Sequence, residues 1–324
     1  MKKSFILPTI HVFIAAISVL VVFNSCWQKE LSFVGGGNTT SYNSLADFHS
    51  RNGVPLKQYS INAVTGGSFT TSQGTIVTIP PNNFLDGSGN PVTGNVDISF
   101  RDIYTKSDML LSDIPTSSNG SPIKSAGEFF ILAQSGAAAV QIVQPILVQQ
   151  PANGQPVDTA MQAFLGGQGA NGVNGFNWVN QTGTITIGNV SFNAGNYVFS
   201  LFRFGTPIAA GTWCNSDNPN YFASYPQIQF TIHATDDMNS YYTDVFLVFK
   251  NVKSMVHVYR GSANDFPYNF APQGLDCTVV AVGVKDGKLY SSFLPVTIGI
   301  NQTVNFTLSE TNTDEFKSRL QLLN

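Results

Sequence analysis

The chain has 324 residues but only 16 Lys and Arg against 19 Asp and Glu, so charged residues make up 11% of it, well below the roughly 25% of ordinary soluble domains. A hydrophobic content of 43% excludes a disordered chain, and a net charge of -3 without a basic cluster excludes a nucleic-acid-binding surface. Polarity comes instead from 29 Gly, 29 Asn and the hydroxyl residues, which suits exposed strands and turns better than the charged faces of a helical bundle.

Lys2 and Lys3 precede an apolar stretch from Phe5 to Phe23, followed by Asn24, Ser25 and Cys26. A charged start, an apolar core and a small residue before a cleavage point predict an export signal over residues 1–25, with a signal helix. The cysteine directly after it predicts a lipoprotein, with palmitate or a similar lipid on the Cys26 thiol and membrane attachment through that lipid. Phe23 and Asn24 depart from the commonest lipobox, and the same apolar stretch is nearly long enough for an uncleaved anchor. Residues 26–41 read as a flexible tether because Gly35-Gly36-Gly37 cannot pack.

Residues 42–150 read as a first β-sandwich domain. Ser44 and Asp47 have capping-box spacing and predict a short helical turn. Thr75 to Ile79 is a strand ended by Pro80-Pro81, and Asp86 to Pro91 is a dense turn cluster. Val96, Ile98 and Phe100 alternate with Asp97, Ser99 and Arg101, the period of a half-buried strand. Gly127 to Ala133 and Val140 to Val148 extend the pattern. Residues 151–195 are a Gly- and Asn-rich connecting region with strands. There Gly167, Gly169 and Gly172 formally match a dinucleotide fingerprint. The next residues lead towards another strand, Thr184 to Ile187, whereas the fingerprint requires a helix, so a loop is predicted.

Residues 196–324 carry seven candidate strands, from Tyr197–Phe204 to Val304–Leu308, at the turn-rich spacing of an immunoglobulin-like sandwich. Asp286-Gly287 is a hairpin signal between two of them. Phe316, Leu320 and Leu323 share one face of a short terminal helix. The predicted fold class is therefore all-β, with two sandwich domains and few helices.

One stretch carries a family resemblance. Gly66-Gly67, Gly74 to Phe84 and the turn Asp86 to Val96 resemble the opening of ZU5-type β-sandwich domains. They are closer still to outer-membrane lipoproteins of Bacteroidetes type, as are Phe100 to Tyr104 and Lys106 to Leu110. The resemblance covers roughly residues 56–135, with Asn83 where the pattern has Ala. Trp27-Gln28-Lys29-Glu30 resembles the surface-export signal of the same group. The resemblance implies an outer-membrane address, facing the periplasm or the cell surface, and it implies no chemistry.

The residues themselves offer little for catalysis or cofactors. No HExxH, GxSxG or Walker sequence occurs, and no catalytic residue, metal ligand set or cofactor site is predicted. His233 and His257 both alternate out of apolar faces and would point to solvent near Asp236 and Asp237. They read as surface histidines, with a metal site as the sharper alternative. Glu128, Asp97 and Asp102 lie on strands without a glycosidase signature. Asp86 to Asn90 has oxygen ligands but lacks the further acids of a calcium loop. Cys214 and Cys277 form an even pair in an exported chain, either a disulfide or two buried thiols. Asp158-Thr159-Ala160 matches a three-residue O-glycosylation site at Thr159. Trp213, Tyr221, Phe222 and Tyr225 form a ligand-binding candidate where rings could stack on a sugar, with core packing as the alternative. The function expected is non-enzymatic: a lipid-anchored envelope protein that binds a glycan or another envelope protein, or plays a structural part. A polysaccharide hydrolase with an unrecognised carboxylate site is the alternative.

Overall fold

Segments of period two become strands, and each strand must cover its apolar face against a neighbouring layer. The computed structural model describes residues 41–170, 175–181, 188–193, 195–201 and 211–324. The expected signal, Cys26 and the strand at 184–187 lie outside the described residues. The fold is all-β: several mostly antiparallel sheets with few helices. Among the described residues, no helix is long and apolar enough to cross a membrane.

Four sheets carry the architecture. Sheet I has the order Gly188–Asn193, Asn196–Leu201, Ile146–Pro151, Ile76–Ile79 and Gly67–Thr70. Sheet II runs Lys57–Asn62, Asn95–Ile103, Lys124–Ser135, Thr212–Asn218, Gln162–Gln168 and Phe176–Asn180, with Ala138–Ala139 beside its long strand. Sheet III runs Met255–Val258, Tyr242–Phe249, Asp276–Lys285, Lys288–Thr297 and Ser309–Thr311. Sheet IV joins Asp265–Pro272, Gln227–Ala234 and Thr303–Phe306, the last pair parallel.

Three cores lie between them. Sheets I and II share one, in which Val77, Val148 and Phe199 meet Val96, Phe100 and Phe129. Sheets II and III share a second, in which Phe130, Trp178 and Trp213 meet Phe246 and Val282. Sheets III and IV share a third, with Val245, Phe249 and Val279 against Phe230, Phe266 and Phe306. Alternation along a strand assigns the faces: Phe129 and Ile131 enter the first core, while Phe130 enters the second. Sheets II and III are thus covered on both sides, and each fully buried Phe in them contributes roughly 1.5–3 kcal/mol.

Three helices fill the second core. Helix α1, Leu45–Asn52, begins at Ser44, whose hydroxyl accepts the Asp47 amide at 3.1 Å, and it buries Leu45 and Phe48. Helix α2, Lys106–Leu111, adds Met109 and Leu110. Helix α3, Thr313–Gln321, adds Phe316 and Leu320 on the expected face, with Leu323 packed beside them. The Asp286-Gly287 turn has φ of 51° and 78°, the left-handed pair of a tight hairpin, and joins Asp276–Lys285 to Lys288–Thr297. The glycine-rich stretch is also a hairpin: Gln162–Gln168 pairs with Phe176–Asn180, and no helix follows it. Asn83 is buried, and its Oδ1 accepts the Gln144 amide at 2.5 Å and the Val143 amide at 3.2 Å. An Ala at that position could not make this bridge.

The expected boundary at 195/196 falls inside the first group of sheets. Asn196–Leu201 pairs with Ile146–Pro151, and Thr212–Asn218 lies between Lys124–Ser135 and Gln162–Gln168. The chain passes from sheets I and II to sheets III and IV between Asn218 and Gln227, and residues 38–324 form one compact unit.

Candidate functional site

At the edge of sheet II, the strand Lys57–Asn62 and the turn at Thr71 to Gln73 border a cleft of about 300 Å³. Lys57, Tyr59, Gln73, Arg101, Asp102 and Asp108 line it. The Tyr59 ring stacks on Phe69 with centroids 3.8 Å apart. Burial and the nearby Asp102 push the Tyr59 phenol up, so it stays a hydrogen-bond donor at neutral pH. Asp102 is almost fully buried, and its Oδ2 accepts the Thr71 hydroxyl at 2.6 Å and the Thr75 hydroxyl at 2.5 Å. Asp108 belongs to the first turn of α2 and accepts the Thr105 hydroxyl at 2.7 Å. The Arg101 guanidinium lies 4.6 Å from the Trp213 ring centre and donates to the Val54 carbonyl at 3.2 Å. Both acids are thus committed to holding the turn and the helix in place. The cleft is also lined by the Tyr59 phenol, the Gln73 amide, which donates to the Asp102 carbonyl at 2.8 Å, and the Lys57 ammonium, which donates to Ser72 at 2.9 Å.

A second cluster lies deep between sheets II and III. His49 Nε2 and His257 Nε2 approach the two oxygens of Asp244 at 3.1 and 3.3 Å. His257 Nδ1 meets Asp113 at 3.3 Å, and His49 Nδ1 meets the Leu111 carbonyl at 3.1 Å. Asp113 has a φ of 52°, a left-handed conformation that Asp tolerates. Burial alone would lower the pKa of His257, but Asp113 and Asp244 outweigh it and raise it to about 9. His49 is also raised, because Asp244 overcomes the same burial. Burial opposes the ionisation of Asp244, yet the two imidazoles hold its carboxyl far below the usual range. The cluster is therefore a chain of alternating acids and bases linking α1, the loop after α2 and two strands of sheet III.

A third cluster occupies sheet II. Glu128 and Asp217 are both fully buried, on neighbouring strands, and burial pushes both carboxyls well above the usual range. No polysaccharide could reach them, which separates them from the exposed carboxylate pair a hydrolase needs.

The other expected site residues find different places. His257 does not point to solvent; it stacks between Tyr259 and Phe246, with ring centres 4.4 and 4.6 Å away. The reason is that sheet III is buried on both faces, so alternation out of one core leads into another. His233 lies in sheet IV and meets Asp265 at 2.7 Å. Asp236 accepts the Leu308 amide at 2.8 Å, and Asp237 caps a short turn. Among the described residues, no group of three or more His, Cys, Asp and Glu is placed to hold a metal. Asp86 accepts the Ser88 and Asn90 amides at 2.8 and 2.9 Å, so its carboxylate closes the turn. Asp97 is exposed.

Cys214 and Cys277 are free, buried thiols in different cores, Cys214 in the first and Cys277 in the third, and no disulfide joins them. The aromatic cluster does not form an exposed platform. Trp213 and Phe222 are buried in separate cores, and Tyr221 and Tyr225 pack half-buried against the third core. Thr159 is exposed, beside Asp158, which is held by Lys124 at 2.7 Å and by Asn218 at 3.1 Å. Sequence reasoning gave His49 no role, and it missed Asp113, Asp244 and Asp217. No protein-family model and no curated protein matches the chain.

Proposed function

We propose that this chain is a lipid-anchored protein of the bacterial envelope that works by binding rather than by catalysis. The observation that carries the reading is the cleft at Tyr59 and Asp102, whose carboxylates are both engaged in internal hydrogen bonds. A hydrolase needs one acid free to give a proton and one free to attack or to take one. Here Lys57 and Gln73 each hold one internal bond, to Ser72 and to the Asp102 carbonyl, and keep further N–H groups for a ligand; with the Tyr59 ring they suit a glycan or a segment of another envelope protein. The finer fold reading belongs to the same proposal: a ZU5-like sandwich from sheets I and II, and an immunoglobulin-like sandwich from sheets III and IV. Two pairs of sheets, each around its own core, support it. Export through residues 1–25, lipid on Cys26 and an outer-membrane address, facing the periplasm or the cell surface, complete the reading.

Two experiments test it. Cells making the full chain are fed labelled palmitate, and Cys26→Ala is expected to abolish incorporation; unchanged label overturns the anchor. The full chain in detergent is then presented to a glycan array and to envelope extract. Binding that weakens in Tyr59→Ala and Lys57→Ala supports the cleft. Release of new reducing ends from a polysaccharide favours the hydrolase instead.

A further inference from the structure

Glu128 and Asp217 share a feature that their burial makes costly. None of their four carboxylate oxygens meets a hydrogen-bond partner in full geometry, although the Ser125 hydroxyl lies close enough to Asp217 to offset part of the effect of its burial. Isolated buried carboxylates are rare, because removing the charge from water without compensation costs many kcal/mol. An independent third group points to the same place. Asn215 is fully buried and sits directly opposite Glu128 in the antiparallel register, so both side chains leave the same face, and its Nδ2 also has no partner. Asp217 follows two residues later, where a bulge shifts the pairing from Ser216–Gly127 to Asp217–Ser125. Bulges re-aim side chains at sites of this kind.

The neighbouring polar groups are accounted for elsewhere. Gln150 Nε2 donates to the Gly127 carbonyl and its Oε1 accepts the Ser216 hydroxyl, both at 2.7 Å. Lys253 Nζ donates to the Ala126 carbonyl at 3.0 Å. Lys253 lies close enough to Glu128 to offset part of its charge, yet one ammonium cannot neutralise two carboxylates. The Ser125 hydroxyl donates to Asn215 Oδ1 at 2.8 Å. An amide turned by 180° has nearly the same shape. In that orientation Nδ2 donates to Ser125, the Ser125 proton is free to turn towards Asp217, and Asn215 Oδ1 is left without a donor on the face it shares with Glu128.

We infer that Glu128, Asp217 and Asn215 form a buried cation site for calcium, closed on one side by the turn that carries Lys253. The ligand set holds oxygen only, with no thiol or imidazole, which selects a hard ion over zinc or copper. Two carboxylates able to bind through both oxygens, with an amide oxygen, suit the flexible coordination of calcium. Magnesium instead demands a tight octahedron and retains water. Binding displaces protons from two carboxyls, so affinity rises with pH. The ion joins two strands of sheet II beneath a turn of sheet III, where Ser125 N already donates to the Lys253 carbonyl at 2.9 Å.

Thermal unfolding of the full chain, stripped with EDTA and then given millimolar calcium, tests the site. Calcium is expected to raise the melting temperature by several degrees. It is also expected to displace terbium, whose luminescence the nearby Trp213 sensitises. In Glu128→Gln and Asp217→Asn the calcium shift and the terbium signal are lost. These variants replace the buried carboxyls with neutral isosteres, so they should melt no lower than the wild type in EDTA. A wild-type chain that melts at the same temperature with and without calcium overturns the proposal, as do variants that respond like the wild type. Should a variant fail to fold, equilibrium dialysis of the wild-type chain decides: one calcium per chain supports the site, and none overturns it.

Discussion

The chain of His49, Asp244, His257 and Asp113 and the pair of Glu128 and Asp217 both belong to the layer between sheets II and III. Each puts charge into an apolar core. In the first, every acid faces a base, and each imidazole of the central pair uses both ring nitrogens. In the second, two acids face each other's field, and only Ser125 beside Asp217 and the Lys253 ammonium near Glu128 offset any of it. Opposed acids and bases make the first cluster a strap whose members offset one another, although Asp113 Oδ1 makes no full hydrogen bond. The open set makes the second dependent on protons or on a metal ion. Burial sets the cost in both places, and the partners decide who meets it.

Breaking the strap gives the largest effect. Asp244→Ala leaves two imidazoles without the acid they share, and a loss of roughly 3–5 kcal/mol is expected in urea unfolding at neutral pH. A loss no larger than that of an ordinary surface substitution would remove the strap from the account. The pH dependence sharpens the comparison next. Both histidines have raised pKa values, so the folded chain holds protons that the unfolded chain releases. The contribution of His257 is complete below about 6.5 and is lost as the pH rises through about 9, with roughly 3 kcal/mol at stake, and that of His49 falls in the same direction. His257→Gln should flatten that slope. The carboxyl pair also has raised values, so its contribution begins to fall earlier, from the ordinary carboxylate range upward. Calcium should suppress this earlier fall and leave the histidine slope in place. The smallest expected effect is an absence of change. In the Cys26→Ala chain, Cys214 and Cys277 should resist a thiol reagent until the protein unfolds, and reductant should not move the melting temperature. Burial in separate cores is the cause, and it pushes the Cys277 thiol up to about 12. Rapid labelling of the native chain would contradict that placement.

Much of the local structure was legible in the sequence. Val96, Ile98 and Phe100 announce a strand by alternation, Asp286-Gly287 announces its hairpin, and Ser44 announces the start of α1. These signals are local, and local chemistry enforces them. The partner of each strand was not legible. Thr212–Asn218 lies beside Lys124–Ser135 because of long-range packing, and no period within the strand specifies that neighbour. The clusters were missed for a related reason. Alternation assigns a polar residue such as His257 to solvent only if the other face of its sheet is wet. Val279 to Val284 is almost continuously apolar, and so is Phe129 to Ala133, the run that follows Glu128. Such runs are the signature of a strand buried on both faces. Weighed that way, Glu128 and His257 would have stood out as buried ionisable groups.

The meeting of Tyr42 with the far end of the fold bears on the order of assembly. Its phenol hydrogen-bonds the Thr313 hydroxyl at 2.6 Å across 271 positions, and its amide donates to the Gly287 carbonyl at 2.9 Å. Phe48 of α1 then stacks edge-on against Phe316 of α3, 5.6 Å away. A chain that emerges from the ribosome or a translocation channel with its N-terminus first exposes Leu45 and Phe48 long before their partners exist. Contacts at such separation close slowly, and uncovered apolar surface is open to association with other chains in the meantime. The earliest of the described helices is therefore among the last to find its place.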